Sequence, residues 1–166
     1  MHVADIMTPS PAVILPDTSI AEAATLMRVR NIGFLPVVRD FSSMHLEGVV
    51  TDRDLVVRAI ADRASAHQAV RQCMTPTPVQ TATPSTDVHE LIQLMEQWQI
   101  RRVPVIDTRG RLLGVVAISD LALHVGPLEP LQIEELLARI SSPSRALLED
   151  GSVMPSTPNS VRSSRR

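Results

Sequence analysis

Two short polar runs in this 166-residue chain carry the groups that a sugar phosphate would need. Thr51-Asp52-Arg53-Asp54 offers a hydroxyl, a guanidinium and carboxylates, and Arg101-Arg102 adds two more cations. A single carboxylate accepts both protons of a vicinal diol, while phosphate takes donors from helix-opening amides, hydroxyls and arginines. Asp120, behind Ser119, is a second carboxylate at what reads as the start of a helix. The same residues have a plainer use. Thr51-x-x-Asp54 is also the pattern of a helix cap, and arginines between a helix and a strand are commonly just solvated.

These runs belong to a text that is written twice. Ile32-Gly33-Phe34-Leu35-Pro36-Val37-Val38 followed by Gly48-Val49-Val50-Thr51-Asp52-Arg53-Asp54-Leu55 returns as Ile100-Arg101-Arg102-Val103-Pro104-Val105-Ile106 followed by Gly114-Val115-Val116-Ala117-Ile118-Ser119-Asp120-Leu121. Pro16, Ile20, Met27 and Pro36 have partners 68 residues on, and Met7-Thr8-Pro9 reappears as Met74-Thr75-Pro76. Two copies of one supersecondary unit bury their apolar faces together, and the seam between them is the natural ligand position.

In each copy the patterning predicts strand, helix, strand, strand, helix. Ala12 to Leu15 reads as a short strand, after which Asp17, Thr18 or Ser19 caps a helix with Ile20, Ala23, Ala24 and Met27 on its core face. Val88, Leu91, Ile92 and Met95 repeat that face. Strands follow at Leu35 to Val38 and Gly48 to Thr51, then a helix over 52 to 62; their counterparts are Val103 to Ile106, Leu113 to Ala117 and 118 to 124. The fold class is α+β, with an α/β-like alternation. Leu131, Ile133, Leu136, Leu137 and Ile140 outline one further amphipathic helix, and the Ser-, Pro- and Arg-rich tail is expected to be disordered. The expected divisions are 1–66 and 67–125 for the repeats, 126–142 for the helical extension and 143–166 for the tail.

Composition removes several function classes. Phe34, Phe41 and Trp98 are the only aromatics and the net charge is -2, which leaves neither stacking platforms nor a basic field for nucleic acid. One cysteine, Cys73, allows no intramolecular disulfide and reads as an inert buried thiol. The five histidines lack i,i+4 or His-x-His spacing, so no metal site is expected. No signal peptide or membrane-length apolar run is visible, and a soluble cytoplasmic protein without membrane partners is expected.

The doubled h-P-V-h turn with Gly-h-h-Thr-x-x-Asp, headed each time by Met-Thr-Pro, resembles the CBS domain, and two copies resemble a Bateman module. The layout is similar to small stand-alone bacterial CBS proteins, including the hypoxic-response type. That resemblance implies a pseudo-twofold pair, often a homodimer, whose clefts in many members hold AMP, ATP or another adenosyl compound. It also implies two clefts, each joining the Gly-h-h-Thr-x-x-Asp segment of one repeat to residues of the other. Cleft A would join Thr51, Arg53 and Asp54 to Thr81, Thr83, Arg101 and Arg102. Cleft B would join Ala117, Ser119 and Asp120 to Leu15, Gly33 and Phe34; it lacks the Thr hydroxyl and has Gly-Phe in place of Arg-Arg, so it should be empty or hold a less charged ligand. Adenine would lie in a thin apolar slot beside Val79-Gln80 or Ile14-Leu15.

The reading is therefore a non-enzymatic sensor that binds AMP, ADP or ATP in cleft A, needs no cofactor and acts on an unidentified effector protein. The alternative is a ligand-independent dimerisation or stress-response protein in which Asp54, Arg101 and Arg102 are cap and surface groups. An enzyme is disfavoured, since no nucleophile triad, phosphate loop or catalytic carboxylate pair is present.

Overall fold

Apolar spacing and capping residues place the helices. In the computed structural model, which describes residues 1–141, α1 (Val3–Ile6) precedes β1 (Thr8–Pro9), α2 (Ile20–Arg30), β2 (Phe34–Val38) and β3 (Leu46–Thr51). The turn α3 (Asp52–Asp54) runs on as a π-helical stretch, Leu55–Ile60, and a 3-10 turn at Val70–Gln72 leads to β4 (Thr75–Pro76). Then come α4 (Val88–Trp98), β5 (Arg102–Ile106), β6 (Leu112–Ala117), α5 (Ile118–His124) and α6 (Pro130–Ser141). Of the three residues that could cap α2, Ser19 does so, in a reciprocal pair with Glu22. Both α2 and α4 stop at a left-handed residue, Asn31 and Gln99.

The core faces largely follow the spacing. Val88, Leu91, Ile92 and Met95 are all buried on α4, and Ile20, Ala23 and Met27 on α2, but Ala24 is exposed. Burial of a side chain such as Leu35 or Leu91 contributes about 1.5–3 kcal/mol. On α6, Ile133, Leu136 and Ile140 are buried in the second-half core while Leu131 and Leu137 face outward. The expected tail, 143–166, lies outside the described residues.

The fold is the anticipated duplicated α+β arrangement, two three-stranded sheets ordered β2-β3-β4 and β1-β6-β5. Registers match position for position: Leu35 opposes Val50 as Val103 opposes Val116, and each β2- or β5-type strand is irregular near its end, at Val37/Val38 and Val105/Ile106. Pro36 and Pro104 sit on edge strands, where a missing N–H is tolerated. That missing donor also explains why Ala12 to Leu15 is not a strand. Ile14 donates to the Pro36 carbonyl and accepts from Val38, and the pairing is a single parallel bridge, repeated by Ala82 beside Pro104 and Ile106.

The Met-Thr-Pro strands are exchanged between halves. β1 pairs with β6, and β4 with β3, so Val3 and Ile6 pack in the second core while Val70 and Cys73 pack in the first. Burial pushes the Cys73 thiol pKa up, which favours the unreactive protonated form.

At one end of the molecule the two β-hairpins meet. His45 bridges Arg111, with Leu46 donating to the Gly110 carbonyl and Leu112 to the Met44 carbonyl. Each hairpin turn is tied by a carboxylate, Asp40 to Ser42 and Ser43, Asp107 to Arg109 and Arg111. The Arg111 amide and guanidinium hold the Asp107 carboxyl down to about 2 from its ordinary 3.8. Asp40 is held lower still, chiefly by the Ser42 hydroxyl and the Ser43 amide. A depressed carboxylate stabilises the fold above its ordinary pKa and ceases to as pH falls through the depressed value. Acidification from 3.8 towards 2 should therefore loosen this junction. Protection of the Leu46 and Leu112 amides, taken relative to the intrinsic exchange rate at each pH, should fall over that range, and less so in Asp107→Asn; identical acid profiles for both proteins would refute the assignment.

Candidate functional site

Two clefts are each lined by residues of both halves, and the residues expected in them divide unevenly. Cleft A, ≈ 870 Å3, is lined by Thr51, Arg53 and Asp54 at the β3–α3 junction and by Arg101 and Arg102 at the start of β5. Its size falls within the ordinary range for small-molecule sites. Thr81 and Thr83 do not line it: Thr83 is exposed and its hydroxyl is shared with Ser85 and Thr86 in the turn before α4. Cleft B, ≈ 480 Å3, is lined by Gly33, Phe34, Ala117, Ser119 and Asp120. Leu15 is elsewhere, packed on the small cluster of Val38, Leu46 and Leu112.

The cap and the cleft share the same carboxylate. Asp54 Oδ2 accepts from the Thr51 amide at 2.9 Å and the Thr51 hydroxyl at 2.7 Å, and the hydroxyl also accepts from the Asp54 amide. Asp54 Oδ1 lies 3.4 Å from Arg58 Nε. Arg58 in turn donates to the Thr75 hydroxyl and to the carbonyls of Cys73 and Met74, binding the exchanged strand to the π-helical stretch. At the twin position Asp120 Oδ2 accepts from the Ala117 amide at 2.7 Å, so the carboxylate closes the helix end even where the hydroxyl is missing. Asp120 Oδ1 accepts no hydrogen bond among the described residues, which leaves it the freer of the two for a ligand.

Cations surround cleft A without being neutralised. The guanidinium groups of Arg53, Arg101 and Arg102 form no ion pair among the described residues, and Arg101 and Arg102 are exposed. Arg101 is held in place through its backbone, its carbonyl accepting from the Ile118 amide, as the Gly33 carbonyl accepts from Asp52. Cleft B is more cationic than Gly33-Phe34 suggested, because Arg30 and Arg102 both line it. Phe34 and Arg102 occupy twin positions and each borders both clefts.

Val79 and Gln80, beside which an apolar slot for adenine was expected, both line cleft A. Asp52 lines it too, and so do Trp98 and Ile140, which carried no binding signal in the sequence. Trp98 follows from helix geometry, being the last residue of α4, but Ile140 belongs to a helix outside the repeats. No group of three or more potential metal ligands exists among the described residues, and none of their helices is long and apolar enough to cross a membrane.

The CBS domain family matches residues 3–60 and 70–126, the two halves of this architecture. The chain belongs to the CBS domain family. The CBS domain-containing protein YhcV of Bacillus subtilis is 38% identical over 122 residues, 74% of this chain and 84% of that protein. Hypoxic response protein 1 of Mycobacterium tuberculosis is 31% identical over 121 residues, 73% and 82% of the respective chains. Among solved structures, CBSX2 in complex with AMP superimposes with a TM-score of 0.66 at 28% identity, covering 77% of this chain and 98% of its own. The resemblance to stand-alone CBS pairs of the hypoxic-response type is thus met by sequence and by fold.

Proposed function

We propose that this CBS pair is a non-enzymatic regulatory module that binds an adenine nucleotide of the AMP or ATP type in cleft A and signals occupancy to another protein. The observation that carries the reading is that Arg53, Arg101 and Arg102, whose guanidinium groups form no ion pair among the described residues, line one cleft together with the helix opening at Thr51 to Asp54. Phosphate is matched by the arginines and the ribose diol by the carboxylate. The AMP complex of CBSX2 supports the ligand class. Cleft B, with Gly33, Phe34, Ser119 and Asp120, is the weaker site.

Switching draws only on the ligand's unequal affinity for two arrangements, and the output acts on a separate effector. A homodimer is part of this reading, supported by Val29, Val56, Val57 and Ile60, which α2 and the π-helical stretch leave exposed.

AMP, ADP or ATP at about a hundredfold excess over the dissociation constant should stabilise the protein by roughly 2.7 kcal/mol. Asp54→Ala should weaken binding by about 1.5 kcal/mol, the lower end for a hydrogen bond to a charged group, because Oδ2 already serves Thr51. The same change should destabilise the fold by about 1 kcal/mol through the lost cap. Calorimetric titration and thermal melts separate the two effects. A destabilised variant with unaltered nucleotide affinity would reduce Asp54 to a cap, and the absence of any nucleotide effect on the wild type would favour ligand-independent dimerisation and partner docking.

A further inference from the structure

We infer that Ile140, carried on α6, is a ligand-contacting wall of cleft A, and that α6 docks more firmly when this cleft is filled. The inference rests on the nucleotide reading of cleft A and deepens it by naming the element that senses occupancy.

The two clefts are built from twin positions. Thr51, Trp98 and Arg101 of cleft A correspond to Ala117, Arg30 and Gly33 of cleft B. Among the described residues that line the clefts, Ile140 alone has no counterpart in the other half, because α6 lies beyond both repeats. One cleft therefore has a wall that the duplication did not supply.

The wall is attached in a way that allows it to respond. Ile133, Leu136 and Ile140 form a single buried stripe against the second-half core. The polar side-chain attachments among the described residues are exposed: Arg139 to Glu96 at 3.3 Å, Gln132 to His89 at 3.1 Å and Glu129 to His89 at 3.7 Å. Exposed pairs of this kind hold weakly, so docking depends on the apolar stripe, and a helix held by one stripe opens before the rest of the fold. Ile140 belongs to both the stripe and the cleft. A ligand that packs on it gains contact only while α6 is docked. By linkage, docking then raises ligand affinity by the same factor by which the ligand favours docking.

Hydrogen exchange of the full-length chain, with and without AMP, ATP or S-adenosylmethionine, tests this directly. The compound that binds should slow exchange of α6 amides. Ile140→Ala should weaken its binding about tenfold, the usual effect of trimming a hydrophobic pocket. Leu136→Ala, which loosens α6 without touching the cleft, should weaken it as well, whereas Leu137→Ala on the outer face should not. Binding that leaves α6 exchange unaltered and tolerates Ile140→Ala would overturn the inference and spare the nucleotide reading. If none of the three compounds binds the wild-type chain, both fall together.

Discussion

Gly48→Val is expected to lower stability by about 3 kcal/mol, the upper part of the usual range for overpacking. A Cβ at Gly48 would stand 2.5 Å from the Thr75 carbonyl oxygen and 3.2 Å from Pro76 Cα. Both are backbone atoms of β4, so no side-chain rotation relieves the clash. β4 would have to leave β3, surrendering the pairing of Gly48 with Pro76 and of Val49 with Thr75. Because Val49 and Thr75 also line cleft A, nucleotide affinity should fall with stability. At the twin position Gly114 a Cβ would stand 2.7 Å from the Met7 sulfur, on a flexible side chain, and 3.0 Å from the Thr8 carbonyl oxygen, a looser backbone contact than at Gly48, so Gly114→Val should cost less than Gly48→Val. Urea denaturation measures both, and a wild-type midpoint for Gly48→Val would mean that the exchanged strand is not held as described.

Removing both arginines, in Arg101→Ala/Arg102→Ala, should weaken AMP binding by about 3 kcal/mol, the worth of one or two charge-assisted hydrogen bonds. That is a loss of at least about a hundredfold in affinity. Stability should stay within about 0.5 kcal/mol of wild type, since both side chains are exposed and neither is in an ion pair among the described residues. The contrast with Asp54→Ala is informative: under the proposed function the aspartate serves both fold and ligand, whereas the arginines serve the ligand alone. Calorimetric titration provides the comparison, and unchanged affinity in the double variant would remove phosphate recognition from cleft A.

Much of this architecture was legible because duplication repeats each signal. Val88, Leu91, Ile92 and Met95 are buried as their spacing requires, and α5 spans the predicted 118 to 124. Ala24 misled because a small side chain fits a core face or a solvent face equally well. Ala12 to Leu15 reads as a strand by composition, yet the proline opposite limits it to one bridge. The run after Asp54 winds with five-residue spacing, as in the bond from the Ala61 amide to the Val56 carbonyl, which no apolar period distinguishes from an α-helix. Strand exchange was hidden for another reason: Met-Thr-Pro marks where a segment begins but carries nothing about which sheet accepts it.

The same holds within the site. Thr51, Arg53, Asp54, Arg101 and Arg102 meet because twin motifs on facing sheets are brought together by the pseudo-twofold relation. Thr81 and Thr83 were placed by the same correspondence, but the turn that opens α4 engages the Thr83 hydroxyl and neither residue reaches the cleft. Ile140 was legible as a core residue and not as a cleft residue, since its placement depends on how α6 packs across α4.

Trp98, the only tryptophan of the chain and about half exposed, lines cleft A and not cleft B, which makes its fluorescence a local reporter. Titration of the full-length protein with AMP should change Trp98 emission saturably, with one site per chain, and Arg101→Ala/Arg102→Ala should abolish the change at the same concentrations. Emission that stays constant while calorimetry registers AMP binding would place the ligand outside cleft A and contradict the account.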